Sequence, residues 1–174
     1  MAAVKDTVDQ VLAIVGNPQY KSAPSAERDR LRAVVAPRFD FAEMSRSAMG
    51  YDWRNLSPAQ RQQFVTVFTR LLEASYMGKI EGYNGQKIEY VKQTRNGDYA
   101  EVYTNIIPSG GDAISIDYRL KNENGTWRVY DVLIDNISLV GNYRAQFHRI
   151  MTDKGYNELI TLIKNKEQSL DAGS

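Results

Sequence analysis

The sequence predicts an α+β fold, and three observations support this. Apolar residues recur at helical spacing in the first half of the chain, they alternate with a period of two from Gln86 to Asp135, and helical spacing returns after Asn136. Because short turn clusters separate the predicted strands, the sheet is expected to be an antiparallel meander. We expect one domain of residues 1–174, with a twisted four-stranded sheet wrapped by N-terminal and C-terminal helices.

Helices are predicted at about residues 4–78. The first ends at the Gly16-Asn17-Pro18 cluster, the second covers about 25–36, and a short third ends at Gly50. The fourth has the clearest signal, since Ser57, Pro58 and Gln60 form a typical helix start. The apolar stripe that follows them consists of Phe64, Val67, Phe68, Leu71 and Leu72.

Four strands are predicted at about 86–95, 98–108, 112–122 and 126–135. In the third strand, apolar Ile114, Ile116, Tyr118 and Leu120 alternate with polar Ser115, Asp117, Arg119 and Lys121. This alternation predicts one buried face and one wet face. The fourth strand is apolar on both sides, with Trp127, Val129 and Leu133 on one face and Tyr130, Val132 and Ile134 on the other. Both of its faces therefore need cover.

The C-terminal part is predicted to be helical at about 138–168, with a break at Gly155. The apolar positions of the first of these helices are Val140, Tyr143, Phe147, Ile150 and Met151. The last helix carries Tyr156, Leu159, Ile160, Leu162 and Ile163, and a polar tail is expected from Lys164 to Ser174.

Composition excludes several classes of function. The chain has 22 Lys and Arg against 21 Asp and Glu, a formal net charge of +1, which argues against a nucleic-acid partner. It contains no cysteine, so disulfides, thiolate metal sites and cysteine nucleophiles are excluded. Its apolar runs are too short for a membrane span, and the first residues show no pattern of an export signal.

Catalytic and metal motifs are not apparent. His148 is the single histidine and is interpreted as a surface residue, and the carboxylates show no metal-ligand spacing. The Ser109-Gly110-Gly111-Asp112 stretch lacks the features of a phosphate loop and is interpreted as a hairpin turn. We therefore expect neither a cofactor nor a metal.

Tyrosine is unusually frequent, with 11 among the 18 aromatic residues. A tyrosine places an apolar ring in the interior and a hydroxyl that needs a partner. These rings either pack at core edges with their hydroxyls in water, or line a cavity that holds an apolar ligand with a polar end. The pattern leaves both interpretations open.

Two groups of residues resemble a known family. The first comprises Phe39, Asp40, Phe41, Gly50, Trp53, Leu56, Ser57, Gln60, Arg61, Phe64, Phe68 and Tyr76. The second comprises residues 127–132 and 137–147, in which Ser138 to Phe147 is the most specific stretch. Over roughly residues 35–167 the chain resembles the MlaC family of periplasmic phospholipid-binding proteins, also called toluene-tolerance auxiliary proteins. Asn136 stands where this family commonly has Gly.

The resemblance implies a non-enzymatic carrier of phospholipid in the periplasm. Its partners would be an outer-membrane lipoprotein–porin complex and an inner-membrane ABC transporter with an MCE-type subunit, contacted transiently in a lipid transport system that maintains outer-membrane asymmetry. The sheet and helices would enclose an apolar cavity for acyl chains, with the head group near solvent.

Candidate contacts follow from this expectation. The acyl chains are expected to contact Phe68, Leu72, Tyr76, Tyr103, Ile116, Tyr118, Val132, Ile134, Val140, Tyr143 and Phe147. The head group is expected to contact Asn142, Tyr143 and Arg144.

Two alternatives remain. A small α+β pocket enzyme acting on an apolar substrate would use Asp117, Asp131 and Tyr118 as acid and base candidates. A protein–protein interaction module would have a fully packed interior and an exposed apolar patch.

Overall fold

The computed structural model describes residues 1–172, and they form two compact units, each made of two separate stretches of chain. The sheet unit comprises Met1–Asp40 and Tyr83–Ser138. The helical unit comprises Phe41–Gly82 and the chain from Leu139 onward.

The sheet unit contains three helices and one antiparallel sheet. The helices are α1 (Ala2–Val15), α2 (Gln19–Ser22) and α3 (Pro24–Val35). The strands are β1 (Lys87–Asn96), β2 (Tyr99–Ile107), β3 (Ile114–Glu123), β4 (Thr126–Ile134) and β5 (Ile137–Ser138), and they lie in chain order across the sheet. The predicted α+β class and antiparallel meander are confirmed. The predicted strand count of four is wrong, because β5 adds a fifth strand.

β5 exists because the chain makes a two-residue turn directly after β4. Asp135 and Asn136 occupy this turn with φ values of 48° and 67°. Positive φ at both central residues is typical of the turn that matches the twist of a hairpin, and Asn and Asp tolerate it best after Gly. Asn136 thus adopts a conformation that a glycine at this position would also adopt.

A β-bulge at Tyr130 changes the faces predicted for β4. Arg119 pairs with Asp131, but the next residue of β3, Leu120, pairs with Val129, so Tyr130 is the extra residue. Val129 therefore shares a face with Val132, and its predicted grouping with Leu133 is wrong. Simple alternation does not predict this, because the inserted Tyr130 places every residue on one side of the bulge on the face opposite to the predicted one.

The prediction of a wet face on β3 is wrong at Asp117. This residue is 7% exposed, whereas Ile114, on the face predicted to be buried, is 40% exposed. Ile114 is the first residue of its strand, where cover is incomplete, while Asp117 lies in the middle of a central strand.

The helical unit contains α4 (Phe41–Met49), a 3₁₀ helix (Gly50–Asn55), α5 (Pro58–Glu81), α6 (Leu139–Asp153) and α7 (Tyr156–Ala172). The predicted start of α5 is confirmed. The Ser57 hydroxyl accepts from the Gln60 backbone N–H, and the Gln60 side chain accepts from the Ser57 N–H. The predicted helix end near residue 168 is too early, because α7 continues through the polar segment to Ala172; residues 173–174 of the predicted tail lie outside the described residues.

The core of the helical unit is built from the apolar stripes of its helices. Gly50 joins α4 to the 3₁₀ helix with a φ of +65°, and the Arg144 side chain packs so closely that an added Cβ would lie 3.3 Å from its Cδ. The buried side chains of this unit include Met44, Ala48, Met49, Phe64, Val67, Phe68, Leu71, Leu72, Val140, Phe147, Leu159, Ile160 and Ile163.

Candidate functional site

One face of the sheet collects apolar side chains from the first four strands. Cross-strand pairing aligns Ile116 with Ile134 and Tyr118 with Val132, so these four residues lie side by side. We call this surface the apolar face; the register assigns to it Tyr90, Val102, Thr104, Ile116, Tyr118, Leu120, Val129, Val132 and Ile134. The structure therefore brings together four of the five sheet residues predicted to contact acyl chains.

The fifth predicted sheet residue, Tyr103, lies on the opposite face. It pairs with Asp117 of β3 and with Lys92 of β1, and the Lys92 ammonium lies 4.7 Å from the centre of its ring. We call this opposite surface the charged face, comprising Lys92, Glu101, Tyr103, Asp117, Arg119, Asp131 and Leu133.

The apolar face also carries hydroxyl groups. Thr104 donates its hydroxyl hydrogen to the Ile116 carbonyl oxygen at 2.7 Å. Burial, with a smaller contribution from Tyr90, raises the pKa of the Tyr118 hydroxyl to about 12. These hydroxyls are therefore uncharged at any physiological pH, and the face is suited to a largely apolar ligand.

Tyr90 was missed as a site residue because of a second bulge. Tyr90 pairs with Thr104, whereas Lys92 pairs with Tyr103, so Val91 is the extra residue. Tyr90 consequently faces away from Lys92, although uninterrupted alternation would place them together. The signal in the sequence was the apolar pair of Ile88 and Tyr90, which precedes the basic part of the strand.

In the helical unit, the predicted acyl-chain residues form an aromatic cluster. Phe68 stacks on Phe64 with ring centres 5.6 Å apart, and Tyr143 and Phe147 approach its ring edge to face at 5.3 Å and 5.5 Å. Leu72 and Val140 are buried in the same unit. Phe64 is the member of this cluster that the predicted site left out, although it lies on the same helical stripe.

Tyr76 lies one helical turn beyond Leu72 on α5. It is only partly buried, and the Lys79 ammonium lies 5.2 Å from the centre of its ring. Burial and the neighbouring Tyr143 raise the pKa of its hydroxyl to about 12. The stripe from Phe64 to Tyr76 thus runs from fully buried rings to a ring with a polar end.

The three predicted head-group residues occupy different surroundings. Tyr143 belongs to the aromatic cluster, whereas Asn142 and Arg144 are exposed on α6. Arg144 donates to the carbonyl and the hydroxyl oxygens of Ser47, both at 2.7 Å, and so ties α6 to α4.

The acid–base candidates are divided between the faces of the sheet. Asp117 and Asp131 lie on the charged face and Tyr118 lies on the apolar face, because neighbouring residues of a strand point to opposite sides. Asp131 accepts from the Val132 backbone N–H at 2.8 Å and from the Ser138 hydroxyl at 2.5 Å. Burial and the Glu101 carboxylate raise the pKa of Asp117, opposed by Arg119 and Lys92.

Within the part of the chain that the structure describes, the remaining polar features form no recognisable site. His148 is exposed, with its Nδ1 3.1 Å from a carboxylate oxygen of Asp52. Within residues 1–172, no group of three or more acidic or histidine side chains is arranged to hold a metal ion. Across the same residues, no helix is both long enough and apolar enough to cross a membrane.

A groove of about 380 Å³ on the helical unit was not predicted from the sequence. It contains none of the predicted lipid contacts, and five of its seven lining residues have polar or charged side chains. Its lining residues are Ala59, Gln62, Gln63, Thr66, Val67, Arg70 and Lys164.

Comparison with known proteins identifies the family. The family model described as MlaC protein matches residues 5–165, which include the apolar face and the aromatic cluster. The chain belongs to the MlaC family. The resemblance seen from about residue 35 onward thus extends almost to the N-terminus.

Two relatives carry names from the MlaC family or its toluene-tolerance members. The toluene tolerance protein ttg2D of Pseudomonas putida is 31% identical over 139 residues, covering 79% of this chain and 65% of that protein. The intermembrane phospholipid transport system binding protein MlaC of Haemophilus influenzae is 26% identical over 148 residues, covering 82% of this chain and 69% of that protein. The chain thus spans about two thirds of the length of these relatives.

A solved structure resembles nearly the whole chain. It is a phospholipid-binding protein from Ralstonia solanacearum in complex with a phospholipid, with a TM-score of 0.87 and 28% sequence identity. The similarity covers 98% of this chain and 97% of that one. This MlaC-family chain therefore shares its fold with a protein seen with lipid bound.

Proposed function

We propose that this chain binds phospholipid and carries it as a soluble, non-enzymatic transport protein. The observation that carries the proposal is the similarity, over nearly the full chain, to a protein solved in complex with a phospholipid. The apolar face supports it, since its aliphatic and uncharged aromatic side chains suit an acyl chain.

The acyl-chain contacts are assigned separately in each unit. In the sheet unit they are Ile116, Tyr118, Val132 and Ile134, and Tyr103 is left out because it lies on the charged face. In the helical unit they are Phe68, Leu72, Tyr76, Val140, Tyr143 and Phe147. A single lipid-binding domain of residues 1–174 remains part of the proposal.

The energetics favour a carrier that acts by docking. Burying an acyl chain of about 16 carbons is worth about 12 kcal/mol relative to water, at about 0.8 kcal/mol for each CH₂ group. A bilayer gives the chain much the same environment, so transfer from a membrane to the protein is close to neutral. The protein therefore retains its lipid in water and releases it where a partner offers an apolar path.

Asn142, Tyr143 and Arg144 are proposed to contact the head group. Arg144 supports this role because a guanidinium has five N–H donors, and the contacts with Ser47 use two of them. The remaining donors are available to a phosphate oxygen, for which arginine is well suited. Asn142 is also exposed, two residues before Arg144 on α6.

The transport route follows from the family. We propose that the protein works in the periplasm, between an outer-membrane lipoprotein–porin complex and an inner-membrane ABC transporter with an MCE-type subunit, and so helps to maintain outer-membrane lipid asymmetry. A catalytic role has less support, because Tyr118 and Asp117 point to opposite faces of the sheet.

Native mass spectrometry of protein purified from bacteria tests phospholipid binding directly. We expect one or more bound phospholipids that are released on denaturation and identified after organic extraction. Tyr118→Ala is expected to lower lipid occupancy severalfold, and the matched change on the charged face, Tyr103→Ala, to leave it unchanged. A lipid-free mass that persists after incubation with phospholipid vesicles would refute the proposal.

A further inference from the structure

The Tyr90 hydroxyl is a buried polar group without a hydrogen-bond partner among residues 1–172. Buried side-chain polar groups are normally hydrogen-bonded, and leaving one unsatisfied costs about 1–3 kcal/mol. Such a group in a folded protein therefore needs an explanation.

The position of Tyr90 on the sheet connects it with the proposed lipid contacts. The register places Tyr90, Thr104, Ile116 and Ile134 in one row across the apolar face. The Thr104 hydroxyl already donates a hydrogen bond to the Ile116 carbonyl oxygen. Tyr90 is thus an unused donor in a row that ends in two aliphatic side chains.

The surroundings of Tyr90 favour a neutral acceptor. The Lys5 ammonium lies 5.7 Å from the centre of the Tyr90 ring, but it is paired with the Asp9 carboxylate at 2.7 Å. Burial and the negative charge of Asp9 raise the pKa of Tyr90, opposed by Lys5, so the hydroxyl keeps its proton and can donate it. Because the Tyr90 hydroxyl is buried, a phosphate bound to it would have to lose its hydration, and the charge of the nearby Lys5 is already paired with Asp9.

We propose that the Tyr90 hydroxyl donates a hydrogen bond to an ester carbonyl oxygen of the bound phospholipid. The inference rests on the proposed function and assigns the polar contact at the start of an acyl chain. An ester carbonyl is a neutral acceptor attached directly to that chain, so it can reach the hydroxyl while the chain follows Ile116 and Ile134. The residue would then distinguish ester lipids from ether lipids.

The experiment compares two lipids and three proteins. Delipidated wild type, Tyr90→Phe and Tyr103→Phe are titrated with vesicles of dipalmitoyl phosphatidylglycerol or of its dihexadecyl ether analogue, which has the same head group without the ester carbonyls. We expect wild type and Tyr103→Phe to bind the diester about two- to tenfold more tightly than the diether, a ratio set by one hydrogen bond. We expect Tyr90→Phe to bind both lipids equally.

Urea unfolding of the lipid-free proteins provides a second readout. Tyr90→Phe removes a hydroxyl that has no internal partner, so its unfolding midpoint should equal or exceed that of wild type. A lower midpoint would indicate an internal partner and overturn the inference.

The remaining outcomes are also decisive. If Tyr90→Phe weakens the binding of both lipids by the same factor, the acceptor belongs to the head group and the ester assignment is wrong. If Tyr90→Phe keeps the wild-type preference for the diester, the hydroxyl has no role in binding. If wild type binds neither lipid, the proposed function itself fails, which is distinct from both results.

Discussion

The apolar face and the charged face belong to the same strands, but their polar groups differ in the hydrogen-bond partners that they find within the protein. On the charged face, Asp131 accepts hydrogen bonds from the Val132 N–H and the Ser138 hydroxyl. Two guanidinium nitrogens of Arg119 each lie 3.8 Å from a carboxylate oxygen, one of Glu101 and one of Asp131. On the apolar face, the Thr104 hydroxyl donates to the backbone carbonyl of Ile116. The Tyr90 hydroxyl, in contrast, has no hydrogen-bond partner among residues 1–172. The comparison indicates that Arg119 and Asp131 of the charged face are paired within the protein, whereas the apolar face keeps the Tyr90 hydroxyl as a donor without an internal partner among the described residues.

The largest effect is expected from truncating a buried side chain of the apolar face. Leu120 is 2% exposed, and Leu120→Ala should lower the free energy of unfolding by about 2–5 kcal/mol, because it removes apolar contacts and leaves a cavity. Urea denaturation measures this change. The neighbouring Lys121 is exposed, and Lys121→Ala should change stability by less than about 0.5 kcal/mol. Equal losses in the two variants would contradict the division of the strand into two faces.

An intermediate effect is expected on the charged face at Asp131. Asp131→Ala removes the acceptor for the Val132 N–H and the Ser138 hydroxyl, so the free energy of unfolding should fall by about 1–3 kcal/mol. Thermal or urea unfolding provides the measurement. Ser138→Ala removes one of these two bonds and should cost less. A stability equal to wild type in Asp131→Ala would mean that the charged face does not depend on its internal bonds.

The smallest effect is expected at Asp117 and depends on pH. Because the folded protein raises the pKa of this carboxyl above its ordinary 3.8, the folded state binds the proton more tightly than the unfolded state. Its contribution to stability is therefore present at acid pH and is lost as the pH rises through the folded pKa. Asp117→Asn should remove this slope and be slightly more stable than wild type at neutral pH.

Urea unfolding of wild type and Asp117→Asn across the acid range tests this sign. A wild-type stability that rose more steeply with pH than that of Asp117→Asn would show that Asp117 is stabilised as a charged group. The comparison of faces would then change, because the charged face would satisfy this carboxylate as fully as Asp131.

Much of the fold could be predicted from periodicity. The helix beginning after Ser57 and the four long strands follow from local patterns that tertiary structure preserves. The bulges at Val91 and Tyr130 could not be predicted, since an extra residue is defined only by the strand it pairs with. The end of α7 was missed because an exposed polar helix needs no apolar stripe.

The candidate site was predictable only in part for the same reason. Helical spacing correctly places Phe68, Tyr143 and Phe147 on inward faces, where the structure finds them in contact. Choosing between Tyr103 and Tyr118 required the strand register, which composition does not contain. The contact between Arg144 and Ser47 joins residues 97 positions apart, beyond any local pattern.

The division of each unit into two stretches also affects how the chain folds. The sheet closes through turns of two to six residues, whereas the helical unit depends on pairs such as Arg144 with Ser47 and Tyr156 with Gln60, which are 97 and 96 positions apart. Closing such long loops costs entropy before any contact repays it. During synthesis on the ribosome, all five strands emerge before α6 exists, so α4 and α5 must wait for their partners. The helical unit is therefore expected to be completed last.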